Sequence, residues 1–360
     1  MTAHKPSHIL LTVLDWGWGH LHRCIPIIQE AQERGYQLTL GSGKSVLNHL
    51  HSLFPSAGTL ELPAYEGQYR WNNMAMNIAM KSPELIEALE LERKILIEQH
   101  QMTPFDAIIS DGRYGCFLNN CPSFFLSHQV HIKARKKLTD TMANKVHRQW
   151  MDNFDEVWVP DFEHPPGLGG QLSHEADQDN CQFLQPISRF YTPCPEENAA
   201  SYDWLFLVYG PEPSRQHLEE RLFQLAKNNT DRNFLFVTPE KAVTKEEALP
   251  HISYASQLSA KQLDRAVKKS KHILCRSDFF HLSDLSIWHR TACLVPTPGH
   301  PEELYLAEFY TQQYHWPVCM QSELCDLETL KKKKKSLMLP RANDSARLQR
   351  LFGRLASFEI

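Results

Sequence analysis

A chain of 360 residues with a 42% hydrophobic share is long enough for two domains with buried cores, which excludes a disordered or fibrous protein. Lys and Arg number 38 against 42 Asp and Glu, a net charge of -4, so nothing in the balance calls for nucleic acid and any anion site must be local. The nine cysteines stand singly from Cys24 to Cys325, and the nearest pairs, Cys116 with Cys121 and Cys319 with Cys325, match no common metal spacing. Buried thiols are expected, with no disulfide framework, metal or cofactor.

The first apolar stretch, Ile9 to Leu14, is too brief for a signal-peptide core or a membrane span, and a cytoplasmic protein is expected. His8 to Leu14 reads as a strand closed by Asp15-Trp16-Gly17-Trp18-Gly19. Behind it Cys24, Ile27, Ile28 and Ala31 recur with helical spacing until Gly35. Tyr36 to Leu40 is the next strand, which completes a βαβ unit with a parallel, buried sheet. Glu84 to Gln101 is a helix entered through Ser82-Pro83, and Phe105 to Ser110 is the strand after it. Ser123 to Ser127 and Glu156 to Val159 are two more strands, with a helix from Lys137 to Trp150 between them.

Pro, Gly, Asp and Ser accumulate over residues 165–179, and a Pro-rich stretch follows over 185–197, so the domain boundary is expected there. Trp204 to Tyr209 opens a second series, closed by Gly210-Pro211-Glu212-Pro213 and followed by a helix marked by Leu218, Leu222, Leu225 and Ala226. Asn233 to Val237, His272 to Cys275 and Ala292 to Val295 are further strands. Helices span Ser259 to Ser270 and Glu302 to Gln313. Two such series predict an α/β protein of two Rossmann-like domains, 1–185 and 200–360, facing a cleft. Lys331, Lys332, Lys333, Lys334 and Lys335 form an unbroken run, read either as a solvated segment or as a patch drawn to an anionic membrane surface.

Gly41-Ser42-Gly43-Lys44-Ser45 resembles the end of a phosphate-binding loop, but its first glycine would fall on Leu38, so an ordinary strand-to-helix turn is expected. Gly17-Trp18-Gly19-His20 is better placed, at the carboxyl edge of the sheet where ligands of such folds collect. A histidine on a helix N-terminus stays neutral, which suits a hydrogen-bonding or general-base role; the alternative is a plain turn capped by His20. Arg276 and Asp284 have the spacing to hold a diphosphate and a ribose diol, or are an ordinary surface pair. Trp16, Trp18, Tyr65, Tyr69 and Trp71 suit a sugar or lipid groove, or a packed core.

Read together, D-W-G-x-G-H (Asp15 to His20), S-D-x-R-Y-G (Ser110 to Gly115), W-V-P-D-F-E (Trp158 to Glu163), G-P-E-P (Gly210 to Pro213), R-S (Arg276-Ser277) and P-T-P-G (Pro296 to Gly299) resemble the GT-B glycosyltransferases. The likeness is to the branch that includes the lipid II N-acetylglucosamine transferase, and to bacterial relatives with a glycosyltransferase family 28-like C-terminal half. It implies an N-terminal acceptor domain, a C-terminal nucleotide-sugar domain and transfer without an obligatory metal. The loop Gly17, Trp18, Gly19 would lie near the reacting centre, with His20 or a nearby carboxylate such as Asp111 as base. Donor binding would fall to Gly210, Ser214, Arg215, Arg276, Ser277 and Asp284, with Glu302 and Glu303 where relatives carry a Gln-rich, sugar-contacting stretch. The implied activity moves a sugar from a nucleotide diphosphate donor, UDP-linked by preference, to a hydroxyl acceptor such as a lipid-linked or cell-envelope glycan. Asp278 stands where relatives have glycine, and Phe280 and His281 where they have small hydroxyl residues. An acid there repels a diphosphate. That departure supports a non-catalytic binding or scaffold protein as the alternative, and a nucleotide-sugar epimerase shares the same architecture.

Overall fold

The computed structural model describes residues 7–16, 18–64, 78–80, 82–134, 136–175, 179–190, 201–239, 249–328, 330, 336–341 and 346–358. They form two compact units, one of residues 1–189 with 342–360 and one of residues 190–341.

In the first unit, β1 (His8–Val13), β2 (Gln37–Ser42), β3 (Gly58–Glu61), β4 (Ala107–Asp111), β5 (Ser123–Leu126), β6 (Glu156–Val159) and β7 (Cys181–Phe183) make a parallel sheet in the order β3-β2-β1-β4-β5-β6-β7. Every residue of β1 is buried, which is why it reads as an apolar run without alternation. The helices α1 (Trp18–Glu33), α2 (Lys44–Leu53), α3 (Pro83–Met102), α4 (Lys137–Met151) and the single turn α5 (Gln171–His174) connect the strands. The N-terminus of α3 follows from its sequence, since Ser82 Oγ accepts from the Leu85 amide at 3.4 Å and Pro83 fills the first helical position. Strand order reverses at β1 and β4, whose last residues Val13 and Asp111 are in register. This switch point is where open parallel sheets form ligand crevices.

The second unit repeats the plan with β8 (Tyr202–Leu207), β9 (Phe234–Thr238), β10 (Ile252–Ser256), β11 (Ser270–Cys275) and β12 (Cys293–Leu294) in the order β10-β9-β8-β11-β12, again parallel. Its helices are α6 (Ser214–Lys227), α7 (Ala260–Lys268), α8 (Phe279–Trp288) and α9 (Pro301–Gln313). Trp204, Phe206, Phe234 and Phe236 pack with Leu218 and Leu222 of α6 to form its core. The switch point here lies between β8 and β11, which deliver Gly210 and Arg276 to the same edge.

The final helix, α10 (Ala346–Ser357), belongs to the first unit, whereas the sequence reading ran the second domain on to residue 360. Its apolar side, Leu348, Leu351, Phe352 and Leu355, is buried. Phe352 stacks on Tyr36 with ring centroids 5.7 Å apart, and Arg354 Nε donates to Glu156 Oε2 at 2.7 Å. Strands β3, β7 and β10 and helices α5, α8 and α10 have no counterpart in the sequence reading; β7 and α5 are three and four residues long, and α8 (FFHLSDLSIW) is apolar on most sides and so shows no helical period. No helix among the described residues is long and apolar enough to cross a membrane. The lysine run 331–335 lies outside the described residues.

Candidate active site

The β1-to-α1 turn sets His20 in the first turn of α1, beside the carboxyl end of β4. His20 Nδ1 lies 2.6 Å from Asp111 Oδ1, with 14% of the histidine side chain exposed and none of the aspartate. Because the carboxylate accepts, Nδ1 carries the proton and Nε2 the lone pair. Asp111 also takes the fork of Arg23, Nη2 to Oδ1 at 2.5 Å and Nε to Oδ2 at 3.0 Å, and the Cys24 thiol to Oδ2 at 3.1 Å. Burial alone would raise the Asp111 pKa, but Arg23 and His20 outweigh it and hold the carboxyl far below the usual carboxylate range. Burial is also the largest influence on His20; with Arg23 and His128 it prevails over Asp111 and leaves the imidazole below its ordinary pKa. Burial pushes the Cys24 thiol up, so it remains a neutral donor. Gly112, next after Asp111, adopts φ 74°, a backbone conformation that favours glycine, and a Cβ there would crowd Leu14 Cδ2 at 3.1 Å.

Beneath this dyad the arginine of S-D-x-R-Y-G has a scaffold role. Arg113 is fully buried and donates to Glu92 Oε1 (2.6 Å), Asp15 Oδ1 (3.0 Å) and the carbonyls of Val13 (2.9 Å) and Pro63 (3.0 Å). Gly43 at the head of α2 leaves room for the same aspartate, since a Cβ would lie 2.3 Å from Asp15 Oδ2. Asp161 of W-V-P-D-F-E accepts from the amides of Phe162 (2.7 Å), Leu168 (2.8 Å) and Gly169 (2.8 Å) and so knots its own loop. Trp18 is 43% exposed, stacked on His22 and edge-on to His49. Gly19 follows it in α1. Trp16 packs into the cluster of Leu14, Ile78 and Ile132. Gly17, Tyr65, Tyr69 and Trp71 lie outside the described residues.

In the second unit the residues expected to hold a donor are largely engaged with the protein itself. Arg276 is fully buried and donates to three carbonyls, Tyr209 (3.1 Å), Ser214 (3.1 Å) and Val295 (3.3 Å). Gly210, at φ 122°, is where that guanidinium passes, 3.2 Å from an ideal Cβ. Arg215 is paired with Glu212 and, at 3.4 Å, with Glu219. Ser277 Oγ donates to the Glu303 carbonyl at 2.8 Å, and Glu303 Oε2 accepts from the Thr297 amide at 2.7 Å. Asp278 caps α8, accepting from the His281 amide at 2.9 Å and facing His281 Nδ1 at 2.5 Å. Asp284 on α8 and Glu302 in the first turn of α9 are half-buried.

Sequence reasoning brought His20 and Asp111 together but missed Arg23, Cys24 and His128, whose Nδ1 lies 3.2 Å from Arg23 Nη1. Arg23 had a signal: it sits beside the apolar stripe of α1, three residues after His20, and a charge there needs a buried partner. His128 follows β5 in an irregular segment and carries none. Among the described residues no group of three or more His, Cys, Asp and Glu is arranged to hold a metal ion.

No family model and no curated protein sequence matches the chain. Solved structures do. The spinosyn rhamnosyltransferase SpnG superposes with a TM-score of 0.61 at 12% identity, over 90% of this chain and 89% of that one. MurG of Acinetobacter baumannii gives 0.59 at 12% identity, over 98% of this chain and 100% of that one. UGT89C1 of Arabidopsis thaliana, solved with UDP-L-rhamnose, gives 0.61 at 11% identity, over 98% and 94%. The architecture is therefore that of the GT-B glycosyltransferases, an α/β fold with two Rossmann-like units.

Proposed function

We propose that this chain is a glycosyltransferase that moves a sugar from a nucleotide diphosphate donor, with UDP the favoured carrier, to a hydroxyl acceptor. The observation that carries the reading is the His20–Asp111 pair at the switch point of the first sheet, in a fold shared with sugar transferases. SpnG has been solved with thymidine diphosphate and UGT89C1 with UDP-L-rhamnose, which supports a nucleotide-linked donor. His20 Nε2 takes the proton of the acceptor hydroxyl as that oxygen bonds to the anomeric carbon. The bond from that carbon to the diphosphate breaks, and its electron pair leaves on the diphosphate. Asp111 is too buried and too fully hydrogen-bonded to act as the base itself. It positions the ring and supports the imidazolium that forms. Replacing His20 with Ala is expected to lower transfer by about 10²- to 10⁴-fold with the melting temperature kept. Unchanged turnover removes His20 from the chemistry.

One set of observations favours a second reading, a binding or scaffold protein that has lost its donor. Asp278 occupies the N-terminus of α8 and Arg215 and Arg276 are engaged internally. Thermal denaturation against nucleoside diphosphates and their sugar conjugates separates the two readings. A ligand at a hundred times its dissociation constant adds about 2.7 kcal/mol; a selective shift supports the transferase, and none with any nucleotide supports the scaffold. On the transferase reading Lys331 to Lys335 serve a peripheral contact at the inner face of an anionic membrane. Cosedimentation with anionic liposomes that is lost when these lysines become glutamine supports that contact, and its absence in the unaltered chain ends it.

A further inference from the structure

The acid at the head of α8 does not stand by itself. Asp278 Oδ2 accepts from His281 Nδ1 at 2.5 Å and Oδ1 from the His281 amide at 2.9 Å, so one residue holds the carboxylate by both its ring and its main chain. The charged or titratable groups around this pair come from each element that meets it. They are Tyr209 after β8, whose ring meets that of His281 edge-on at 5.4 Å, Cys275 and Arg276 at the end of β11, Asp284 on α8, and His300 and Glu303 at the head of α9. Close by, the notch that Gly210 leaves open is polar: Arg276 Nε lies 3.2 Å and Thr297 Oγ1 3.6 Å from where a Cβ of residue 210 would stand. Thr297 is 4% exposed and its hydroxyl has no hydrogen-bond partner among the described residues. Arg276, fully buried, directs three hydrogen bonds at carbonyls out of the five N–H groups of a guanidinium. A buried hydroxyl without a partner and a guanidinium with donors to spare call for an acceptor that the protein does not supply. The helix terminus two residues after Arg276 favours an anion as that acceptor.

We propose that the second unit takes its diphosphate together with a proton, carried on His281, which cancels the charge of Asp278 at the helix terminus. The ligand rests on the transferase reading above. With the imidazole neutral, the Asp278–His281 pair carries one negative charge and repels the diphosphate. With the imidazole protonated at Nε2 the pair is neutral overall, and the α8 terminus, Arg276 and Thr297 act on an anion that no longer meets that charge. Nδ1 keeps its proton toward the carboxylate in both states, so the switch breaks no hydrogen bond of the cap. Linkage fixes the sign. The protonated pair binds more tightly, so binding draws a proton from solvent, and affinity falls as the pH rises through the titration of His281. Burial alone would raise the Asp278 carboxyl, but His281 and the nearby His300 outweigh it and hold the group below its ordinary range, so the acid stays ionised throughout. The two departures from the resemblance, Asp278 for glycine and His281 for a small hydroxyl residue, then work as one device.

The test is calorimetric titration of the full chain with the glucose conjugates of UDP, dTDP, GDP and CDP between about pH 5.5 and 8. Each point is run in two buffers of different ionisation heat, so that proton uptake is read directly. The conjugates carry a diphosphate esterified at both ends, which has no ionisation of its own in this range. The unaltered protein is expected to bind at least one of them about tenfold or more tighter at the acid end, with uptake approaching one proton per ligand. Asp278→Asn is expected to bind tighter at the alkaline end and to move the step to lower pH. His281→Gln, which keeps a donor toward Asp278 but loses the titrating ring, is expected to hold the weak alkaline affinity at every pH. The two variants thus depart in opposite senses, which a general loss of structure does not produce. Should His281→Gln not fold, the proton uptake of the unaltered chain and its shift in Asp278→Asn decide. Affinity that is flat in pH, or a step that persists in folded His281→Gln and so belongs to Glu303 or His300, overturns the proposal and leaves the transferase reading standing. No binding of any conjugate at any of these pH values overturns both.

Discussion

Replacing Arg113 with Met tests whether the S-D-x-R-Y-G arginine is scaffold. The change removes a guanidinium whose side chain is fully buried and leaves Glu92 and Asp15, themselves 0% and 2% exposed, without it. Breaking a buried pair from one side costs about 3–5 kcal/mol, because the orphaned charge remains in the interior. The carbonyls of Val13 and Pro63 also lose a donor, which places the expected cost toward the upper end of that range. In a unit of this size each kcal/mol lowers the melting temperature by roughly 2–4 °C, so a fall of about 6–20 °C is expected in scanning calorimetry. Adding Glu92→Gln to Arg113→Met is expected to recover part of the loss, since it removes one of the two stranded charges. A fall below about 3 °C, or a double variant weaker than the single, would refute the scaffold assignment and free Arg113 for a role toward a ligand.

Three further outcomes are expected. His147 is buried, with Nδ1 2.8 Å from the Tyr114 hydroxyl and Nε2 2.9 Å from the Gln129 carbonyl, and burial lowers its pKa to about 4. The unfolded chain binds that proton near 6.5, so this contribution is complete above pH 6.5 and is lost as the pH falls toward 4. The loss totals about 3 kcal/mol and is read from urea midpoints along the pH series; a flat series between pH 7 and 4.5 contradicts it. Gly115→Ala would set a Cβ 2.5 Å from the Leu89 carbonyl oxygen and 2.6 Å from Glu92 Oε2. It is expected to cost about 2 kcal/mol or more as backbone and carboxylate give way, and a denaturation midpoint that does not move contradicts it. Asp278→Asn keeps a capping side chain on α8 but removes its charge. If the second unit holds a donor, nucleoside diphosphates are expected to bind several-fold tighter by calorimetric titration, whereas on the scaffold reading none binds in either form.

The fold was legible where the physics is local and periodic. The apolar run of β1, the helical stripe of α1 and the Ser82-Pro83 entry to α3 are each dictated by neighbours a few residues away, and the structure places elements there within a few residues of the expected bounds. The side of the molecule that α10 joins was not legible. It depends on Phe352 meeting Tyr36 and Arg354 meeting Glu156, partners 316 and 198 residues distant. Within the candidate site the same division holds. His20 stood out because a glycine turn before a helix marks a ligand edge, whereas Asp111 entered only through the resemblance carried by S-D-x-R-Y-G, since the expected strand stopped at Ser110 and the structure extends it to Asp111. Arg23, in contrast, has a role set by which carboxylate it meets across the sheet, and spacing along one helix says nothing of that.

The motif residues of the two units therefore differ in what they are able to offer a ligand. A guanidinium has five donors in a fixed fork, and Arg276 directs three of its hydrogen bonds at the main chain of its own unit. Arg113 does the same with two carbonyls and two carboxylates. A sequence pattern records that an arginine is required at a position, without distinguishing a ligand from the backbone as the reason. Asp111 shows the opposite case: its surroundings are all protein, yet their effect is to fix the tautomer of an imidazole that keeps some exposure, which is what the proposed transfer requires of Nε2. On the first unit the buried polar groups converge on the Asp111 carboxylate, which holds Nδ1 of a histidine whose side chain is 14% exposed. On the second, Asp278 places a carboxylate at the very helix terminus where an anion would gain most from the dipole. The charge of that one side chain is thus the sharpest point at which the transferase and scaffold readings diverge, and Asp278→Asn changes it while leaving the cap and the chain around it in place.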